Sequence, residues 1–350
     1  MPLATTCVGA YPKPDYVKLP DWFAGPEGCD TSDPTGAWEQ AMADLGPDAA
    51  EIIERGIAEA IADQIACGID IPTDGEIARE NYIHYHCRHL EGFDFANLTR
   101  KQVRGGTYEA ALPTISSPVA VRDRFLVDDW KRAQINCRQA VKITMPGPMT
   151  ISDTNHDAYY NDPKKLGADI ADALNVEVRA LAEAGCIHIQ IDEPLFARKP
   201  EAALDYGFEN LERAFHGCPS RVQRTVHMCC GYPDRLDRED YPKADPNSYL
   251  RIADAIEYSC IDAVSFEDAH RHNDLSLLER LPSTKVIFGV VAIARSEVES
   301  VEQVRERLQR ALQHIDAERL IAAPDCGLGL LGRELAMAKL SNMCKAAHSL

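Results

Sequence analysis

The chain alternates short apolar runs with longer segments of helical spacing, and this alternation limits the fold more than any other feature. Helices are predicted at 48–67, 163–185, 203–216, 246–260, 275–281, 298–314 and from 334 to the end. Strands are predicted at 5–11, 68–76, 140–148, 187–194, 224–231, 263–267, 285–291 and 320–323. Eight such units favour a (β/α)₈ barrel over a doubly wound sheet. We therefore expect residues 1–350 to form one barrel domain, with insertions after the first and second strands.

Both predicted insertions are polar or mixed in pattern. Residues 18–46 are expected to form a long loop with short helices, because the segment is rich in Gly, Pro and polar residues. Residues 77–140 contain His84, His86, Cys87 and His89 close together. This cluster could bind a metal, but no partner site with ligand spacing follows it, so a helix packed against the barrel is favoured.

Composition and charge describe a folded protein that does not bind nucleic acid. The 350 residues are 45% hydrophobic and 26% charged, and the net charge is −18, without the clustered Lys and Arg that phosphates require. No apolar run approaches the roughly 20 residues of a membrane span, and the N-terminus lacks a secretion signal. We expect a cytoplasmic protein with no membrane partner, and the pattern leaves a homo-oligomer open. In a reducing compartment the twelve Cys remain thiols, available as metal ligands.

A possible half of a metal site lies in the run 224–231. Alternate side chains leave a strand from the same face, so His227 and Cys229 point together, and Met228 and Cys230 point the other way. Imidazole and thiolate are both good ligands for Zn²⁺, which usually takes four. The alternative is that these Cys are ordinary buried apolar residues, as most of the twelve must be.

The barrel fold brings further candidates to the same place. Active sites of such barrels lie at the C-terminal ends of the strands. Glu76, Asp192, Glu267 and Cys326 lie at such ends, as do His227 and Cys229. Glu267 and Cys326 are the best candidates for the two missing zinc ligands. The sequence therefore predicts zinc bound by one His, two Cys and one Glu from three strand ends.

These residues fall within motifs spread over most of the chain. The specific ones are Gln190-Ile-Asp-Glu-Pro194, His227-Met-Cys229, Ser265-Phe-Glu267 and Pro324-Asp-Cys-Gly-Leu328, and the weaker ones are Val8-Gly-Ala-Tyr-Pro12, Asp74-Gly-Glu76 with Arg79, and Gly147-Pro-Met-Thr-Ile151. In this order they resemble the catalytic half of cobalamin-independent methionine synthase and the shorter, single-barrel proteins related to it.

The resemblance implies a fold, a cofactor and a reaction. It implies a (β/α)₈ barrel with zinc held by His227, Cys229, Glu267 and Cys326. It also implies that a homocysteine thiol is activated as a zinc thiolate and methylated by 5-methyltetrahydrofolate or a related donor, which gives methionine. Zinc matters because a free thiol, with a pKa of about 8.5, is little ionised at neutral pH. Glu267, the hardest and weakest donor, is the ligand expected to yield to the incoming sulfur.

The resemblance also assigns the amino-acid end of the substrate. It implies that Asp192 and Glu76 act in catalysis by holding the ammonium group, and that Gly9 and Ala10 lie in the substrate site. From the residues alone, Asp192-Glu193-Pro194 could equally be a helix cap after a strand. Glu76 alone would more often be a surface acid.

Several family features are absent, and they concern the methyl donor. Full-length members have a second, N-terminal barrel, of which we expect no equivalent in this chain. The family's Ser is replaced by Ala10, its acid/base His by Ala294, and its pterin-stacking Trp is missing from 152–155. The donor is therefore left open between methylfolate bound differently, a methyl-corrinoid protein and another alkyl electrophile. The alternative function is a thiol alkyltransferase of the epoxide-opening, coenzyme M type, and a third is a zinc-stabilised structural protein.

Two further positions near the predicted site have simpler explanations. His270, Arg271 and His272 follow Glu267 and could contact an anionic group, but a solvated loop is favoured. Asp325 precedes Cys326 and is expected to orient a neighbouring side chain.

Overall fold

A computed structural model describes residues 2–21, 34–103, 108–135, 137–233, 235–238 and 240–350. Its strands are β1 (Ala4–Thr5), β2 (Leu90–Val103), β3 (Tyr108–Val121), β4 (Ile143–Pro146), β5 (His156–Asp157), β6 (His188–Asp192), β7 (Gln223–Met228), β8 (Ala263–Phe266), β9 (Lys285–Val291) and β10 (Leu320–Pro324). Seven of them form a curled parallel sheet in the order β1-β10-β9-β8-β7-β6-β4. Because β4, β8 and β10 are buried at every position, the sheet is covered on both faces.

Helices connect the strands and cover the sheet. They are α1 (Pro34–Leu45), α2 (Ala49–Cys67), α3 (His84–Cys87), α4 (Leu126–Ile135), α5 (Pro148–Asp153), α6 (Pro163–Ala184), α7 (Pro194–Arg198), α8 (Pro200–Ala202), α9 (Phe208–Ala214), α10 (Ser248–Glu257), α11 (Ser276–Glu279), α12 (Val301–Ala311) and α13 (Arg333–His348). Local sequence fixes several ends. Asp162 caps the start of α6, and Gly185, at φ 109°, ends it in the left-handed conformation that glycine adopts freely.

The two edges of the sheet approach the same short segment. Ile71 forms a parallel bridge with Thr6, next to edge strand β1, and Thr73 forms one with Lys142, next to edge strand β4. The predicted first and second strands, 5–11 and 68–76, are therefore shorter than expected as regular strands. The remainder of each segment is irregular backbone that contributes to the site described below.

The chain between this segment and β4 contains a hairpin that the sequence pattern did not predict. Strands β2 and β3 pair antiparallel over 14 residues each, with register shifts after Glu91 and Asp94. Gly92, at φ 93°, lies so close to the partner strand that a Cβ would be 2.8 Å from the Ser117 carbonyl oxygen. Of the predicted loop 18–46, residues 22–33 lie outside the described part of the chain, and α1 occupies most of the rest.

The parallel order places the C-terminal ends of the strands along one edge. The loops that follow β6, β7, β8 and β10 meet there, as expected for a parallel sheet covered by helices. Among the described residues, no helix combines the length and apolar character needed to cross a membrane.

Candidate active site

A cavity of about 90 Å³ opens at the C-terminal ends of the strands. Its lining comes from seven segments of the chain: Val8, Gly9, Ala10, Glu76, Tyr82, Asp192, Pro194, Arg198, His227, Cys229, Gly231, Tyr232, Cys326 and Gly327. One enclosed water needs roughly 10–15 Å³ of such volume, so the space suits a ligand of about the size of a small amino acid. All the predicted site residues except Glu267 line this cavity.

Three of the lining residues form a group that could hold a metal ion, called the metal group below. One ligand atom each of His227, Cys229 and Cys326 lies within 4.8 Å of the other two, and the Nε2 of His227 is 3.4 Å from the Sγ of Cys326. Tetrahedral zinc, with bonds of about 2.1 Å to nitrogen and 2.3 Å to sulfur, places two such atoms about 3.6 Å apart. The donor set and its spacing therefore fit zinc.

The surroundings of His227 keep it in the form that a metal requires. Burial lowers the pKa of His227 to about 3, so the imidazole is neutral. Its Nδ1 is 2.9 Å from the hydroxyl of Ser265 on the adjacent strand β8. If Nδ1 carries the proton and donates it to Ser265, Nε2 presents a lone pair to the two sulfur atoms.

Glu267 lies next to this group. Its carboxyl group is hydrogen bonded with the Cys229 thiol, and burial followed by this neighbour raises the pKa of Glu267 well above its usual range. A hydrogen bond with Cys326 and burial likewise raise the pKa of Cys229. Without a cation, these buried groups therefore hold their protons, whereas a divalent ion would stabilise them in the ionised form.

Alternation along β7 separates Cys229 from its neighbour, as predicted. The Sγ of Cys230 points away from the cavity and donates to the Tyr249 hydroxyl at 3.0 Å, and this hydroxyl donates to the Met228 carbonyl at 2.6 Å. Cys230 is therefore a packed core residue, whereas Cys229 faces the cavity.

Asp325 fixes the loop after β8. Its carboxylate accepts from the backbone N–H groups of Asp268, Ala269 and His270 at 2.8–2.9 Å, and from the Nδ1 of His270 at 2.7 Å. Burial alone would raise the pKa of Asp325, but hydrogen bonds from His270 and from the loop backbone lower it. Because Asp325 adjoins Cys326, the loop that carries Glu267 is tied directly to another residue of the metal group.

The expectation of a solvated loop at 270–272 is wrong for His270. The side chain of His270 is only 4% exposed, because it packs on Asp325, whereas that of His272 is 65% exposed. His84, His86 and Cys87 lie on the short helix α3, as favoured, and His89 follows it. Within the described ranges, His227, Cys229 and Cys326 are the residues that bring three potential ligand atoms together, and the α3 cluster does not.

Two buried carboxyl groups also line the cavity. Glu76 accepts from Thr144 Oγ1 at 2.6 Å and from Arg79 at 3.1 Å. It lies in a left-handed backbone conformation, at φ 55°, and a Cβ at Gly9 would be only 2.6 Å from its Oε1. Burial raises the pKa of Glu76, against the opposing effect of Arg79. Glu76 is therefore a buried cavity residue and not a surface acid.

Asp192 and Glu193 are adjacent in sequence, but their side chains have different surroundings. Asp192 lines the cavity, and burial, followed by the proximity of Glu76, raises its pKa to about 8. Glu193 turns away and accepts from the backbone N–H groups of Met149 and Thr150 in the first turn of α5. The expected cap on the helix after the strand is not formed, because α7 begins without a side-chain cap and Glu193 bonds to α5 instead.

Lys142 supports Asp192 through Gln190, and the sequence interpretation did not identify this lysine. Its Nζ donates to the Cys7 carbonyl and to Gln190 Oε1, both at 2.6 Å, and Gln190 Nε2 donates to Asp192 at 2.8 Å. Burial lowers the pKa of Lys142 to about 8. A lysine within an apolar strand was the available signal. Tyr82, Arg198 and Tyr232 were also missed, since loop residues lack a periodic pattern.

Of the positions that depart from the family's motifs, Ala10 lines the cavity and the others do not. Ala10 lines the cavity, and its Cβ is 3.0 Å from where a Cβ of Gly327 would lie. Ala294 is buried outside the lining, and its backbone N–H donates to His270 Nε2 at 3.1 Å. Residues 152–155 also lie outside the lining.

Comparison with known proteins places the chain in a family. Residues 35–349 match the model described as the catalytic domain of cobalamin-independent synthase. The chain belongs to this family. Among its relatives are the methionine synthases of Saccharolobus solfataricus, 28% identical over 97% of this chain and 92% of that protein, and Thermococcus kodakarensis, 29% identical over 99% and 93%.

Solved structures agree with this assignment. A B12-independent methionine synthase from Shewanella sp. W3-18-1, in complex with selenomethionine, matches with a TM-score of 0.86 and 29% identity over 99% of this chain and 97% of that one. A methyltransferase from Methanosarcina mazei shares the fold at a TM-score of 0.62 and 12% identity, over 99% and 94% of the two chains. The chain is therefore a methyltransferase of the cobalamin-independent synthase family, whose reaction is a methionine-forming methyl transfer from a donor to a small thiol.

Proposed function

We propose that this chain methylates the thiol of homocysteine with zinc as cofactor, and that its donor is 5-methyltetrahydrofolate or a related methyl compound such as a methyl-corrinoid protein. The single observation that carries the proposal is a cavity of amino-acid size lined both by a His/Cys/Cys group that could hold a metal and by two buried carboxyl groups. Homocysteine has a thiol for the first group and an ammonium group for the second. The selenomethionine complex of the Shewanella relative supports a ligand of this class.

We further propose that the sheet closes into a (β/α)₈ barrel. The bridges from Ile71 to Thr6 and from Thr73 to Lys142 support this closure, because they join both edges of the seven-stranded sheet to one short segment. That segment would be the second of eight strands. Closure would bring Glu76, which follows it, beside Asp192.

At the thiol end, His227, Cys229 and Cys326 would hold zinc, with Glu267 as the fourth ligand. Zinc there would supply a Lewis acid that lowers the pKa of the substrate thiol, so that the sulfur attacks the donor methyl group as an anion. Ser265 holds the His227 ring, and Asp325 holds the loop that carries Glu267. As the hardest ligand of the four, Glu267 is the one expected to give way to the substrate sulfur.

At the other end, Glu76 and Asp192 would bind the ammonium group. Both carboxyl groups have raised pKa values without a ligand, so an incoming cation stabilises them as anions. Gly9 leaves the room in which Glu76 reaches the cavity, and Ala10 forms the neighbouring wall. The sulfonated thiol of the epoxide-opening alternative has no ammonium group that could stabilise these two carboxyl groups as anions.

The test is direct. Purified, zinc-loaded protein is incubated with homocysteine and, in separate reactions, methylfolate or a methylated corrinoid protein, and methionine is measured by mass spectrometry. We expect methionine with at least one donor, and binding of methionine by calorimetry. Turnover only with an epoxide and a sulfonated thiol would select the alternative. Tightly bound zinc with no binding of thiol or methionine would indicate a structural site.

A further inference from the structure

The cavity contains one side chain of fixed positive charge among its described lining residues, and no partner accounts for it. Arg198 lies at the last position of α7, the helix that follows Asp192 and β6. Its Nε is buried without a hydrogen-bond partner. The Nε of Arg79 is also buried without a partner, but the other nitrogens of Arg79 already bond with Glu76 and Thr144 and pair with Asp74.

A buried, unpaired guanidinium nitrogen is costly unless a ligand completes it. The planar fork of arginine matches a carboxylate through two parallel hydrogen bonds, so a carboxylate is the partner its geometry favours. The two carboxylates of this cavity do not fill that role, since Glu76 bonds with Arg79 and Thr144, and Asp192 with Gln190. Neither carboxyl group is therefore left to pair with Arg198, and a ligand that enters the cavity can supply the missing partner.

We propose that Arg198 binds the α-carboxylate of the amino-acid substrate and product, and so makes the site specific for a zwitterion. This inference rests on the proposed function and deepens it. Glu76 and Asp192 would recognise the ammonium group, Arg198 the carboxylate, and the metal group the sulfur. Three chemically different contacts at three places would define one ligand in one orientation. Ala10, where the family's motif has Ser, cannot contribute a side-chain hydrogen bond here.

The test uses binding, which needs no methyl donor. Dissociation constants are measured by calorimetry on zinc-loaded protein for methionine, for 3-(methylthio)propylamine, which lacks the carboxylate, and for 4-(methylthio)butanoate, which lacks the ammonium group. The variants are Arg198→Met, which keeps the apolar stem, and Arg198→Lys, which keeps the charge without the fork. Lys199→Met is the matched control, because it removes the same charge from an exposed neighbour that pairs with Asp153.

We expect Arg198→Met to bind methionine about 10- to 100-fold more weakly, as for a lost charged hydrogen bond, with no change for the amine. Arg198→Lys should bind methionine with an affinity between those of Arg198→Met and the unmodified chain. Lys199→Met should bind methionine as tightly as the unmodified chain does. Unchanged methionine affinity in Arg198→Met would overturn the inference. If turnover fell in the same variant, Arg198 would act on the methyl donor and not on the amino acid. Equal weakening for methionine and the amine would also overturn it, as a structural effect. If the unmodified chain bound neither methionine nor homocysteine, the proposed function itself would fail.

Discussion

The metal group and the pair of carboxyl groups in the cavity are held in place in different ways. The metal group uses side chains at or just beyond the ends of regular strands, since His227 lies on β7, Glu267 follows β8 and Cys326 follows β10. In the carboxyl pair, Asp192 ends β6 in register with His227, but Glu76 follows isolated bridges on irregular backbone and has a φ of 55°. Sheet register therefore positions the metal group and Asp192, whereas Glu76 depends on side-chain contacts with distant segments.

Because of this difference, metal binding and ligand binding should be lost separately. Changes at the strand ends should alter metal binding, and changes at the carboxylate end should alter ligand binding at constant metal content. The first three of the following experiments test that separation, and the fourth tests the protonation of Asp192.

The largest effect is expected for a metal ligand. Cys229→Ser should lower zinc affinity by more than the roughly 100-fold that accompanies loss of an outer partner, and should abolish turnover. Cys230→Ser is the control, because Cys230 contacts Tyr249 on the other face. Zinc content after dialysis against a chelator measures the effect, and equal losses in both variants would mean that the two thiols are not distinguished by strand alternation.

The next largest effect is expected on ligand binding, for a substitution of Asp192. Asp192→Asn keeps an acceptor for Gln190 but removes the charge, so methionine should bind about 10- to 100-fold more weakly while zinc content stays the same. Calorimetry and elemental analysis on the same sample check both statements. Loss of zinc in this variant would show that the two ends are not independent.

A smaller effect is expected where the two kinds of construction meet. Asp325→Asn replaces an acceptor of loop N–H groups by an amide that can also donate, so the loop bearing Glu267 should loosen. Zinc affinity should fall by about tenfold, the low end of the range for such partners. Competition with a chromogenic chelator measures this, and unchanged affinity would argue that the loop does not position a ligand.

The smallest effect concerns stability. The Asp192 carboxyl group holds its proton up to a pH of about 8 in the folded chain, but only to about 3.9 when unfolded. The folded state thus binds more protons in this window, and stability falls as the pH rises through it. In ligand-free protein, Asp192→Asn should remove part of this decline, on the order of 1 kcal/mol between pH 5 and 8. Urea unfolding at pH 5 and pH 8 measures this change in stability. The same decline in the free energy of unfolding for variant and parent would refute the prediction. Glu212→Gln, at an exposed position, is the control and should leave the decline unchanged.

Strand-borne features could be predicted from the chain because they follow a local period. The helices α2, α6 and α13 and the strands β7 to β10 lie close to their predicted ranges. The opposite directions of Cys229 and Cys230 follow from alternation alone. The β2–β3 hairpin could not be predicted, because its bulges interrupt the period of two.

The sequence by itself determined the alternation of strands and helices, the residue types of the metal group and the motifs that mark the family. Tertiary structure alone decided that Asp192 faces the cavity while Glu193 accepts from the first turn of α5, that Glu76 is buried against Arg79 and Thr144, that His270 packs on Asp325, and that the Nε of Arg198 is buried without a hydrogen-bond partner. The physical reason is range. Periodicity and capping act between neighbours in sequence, whereas burial, charge pairing and the shape of a cavity depend on segments that only the folded chain brings together.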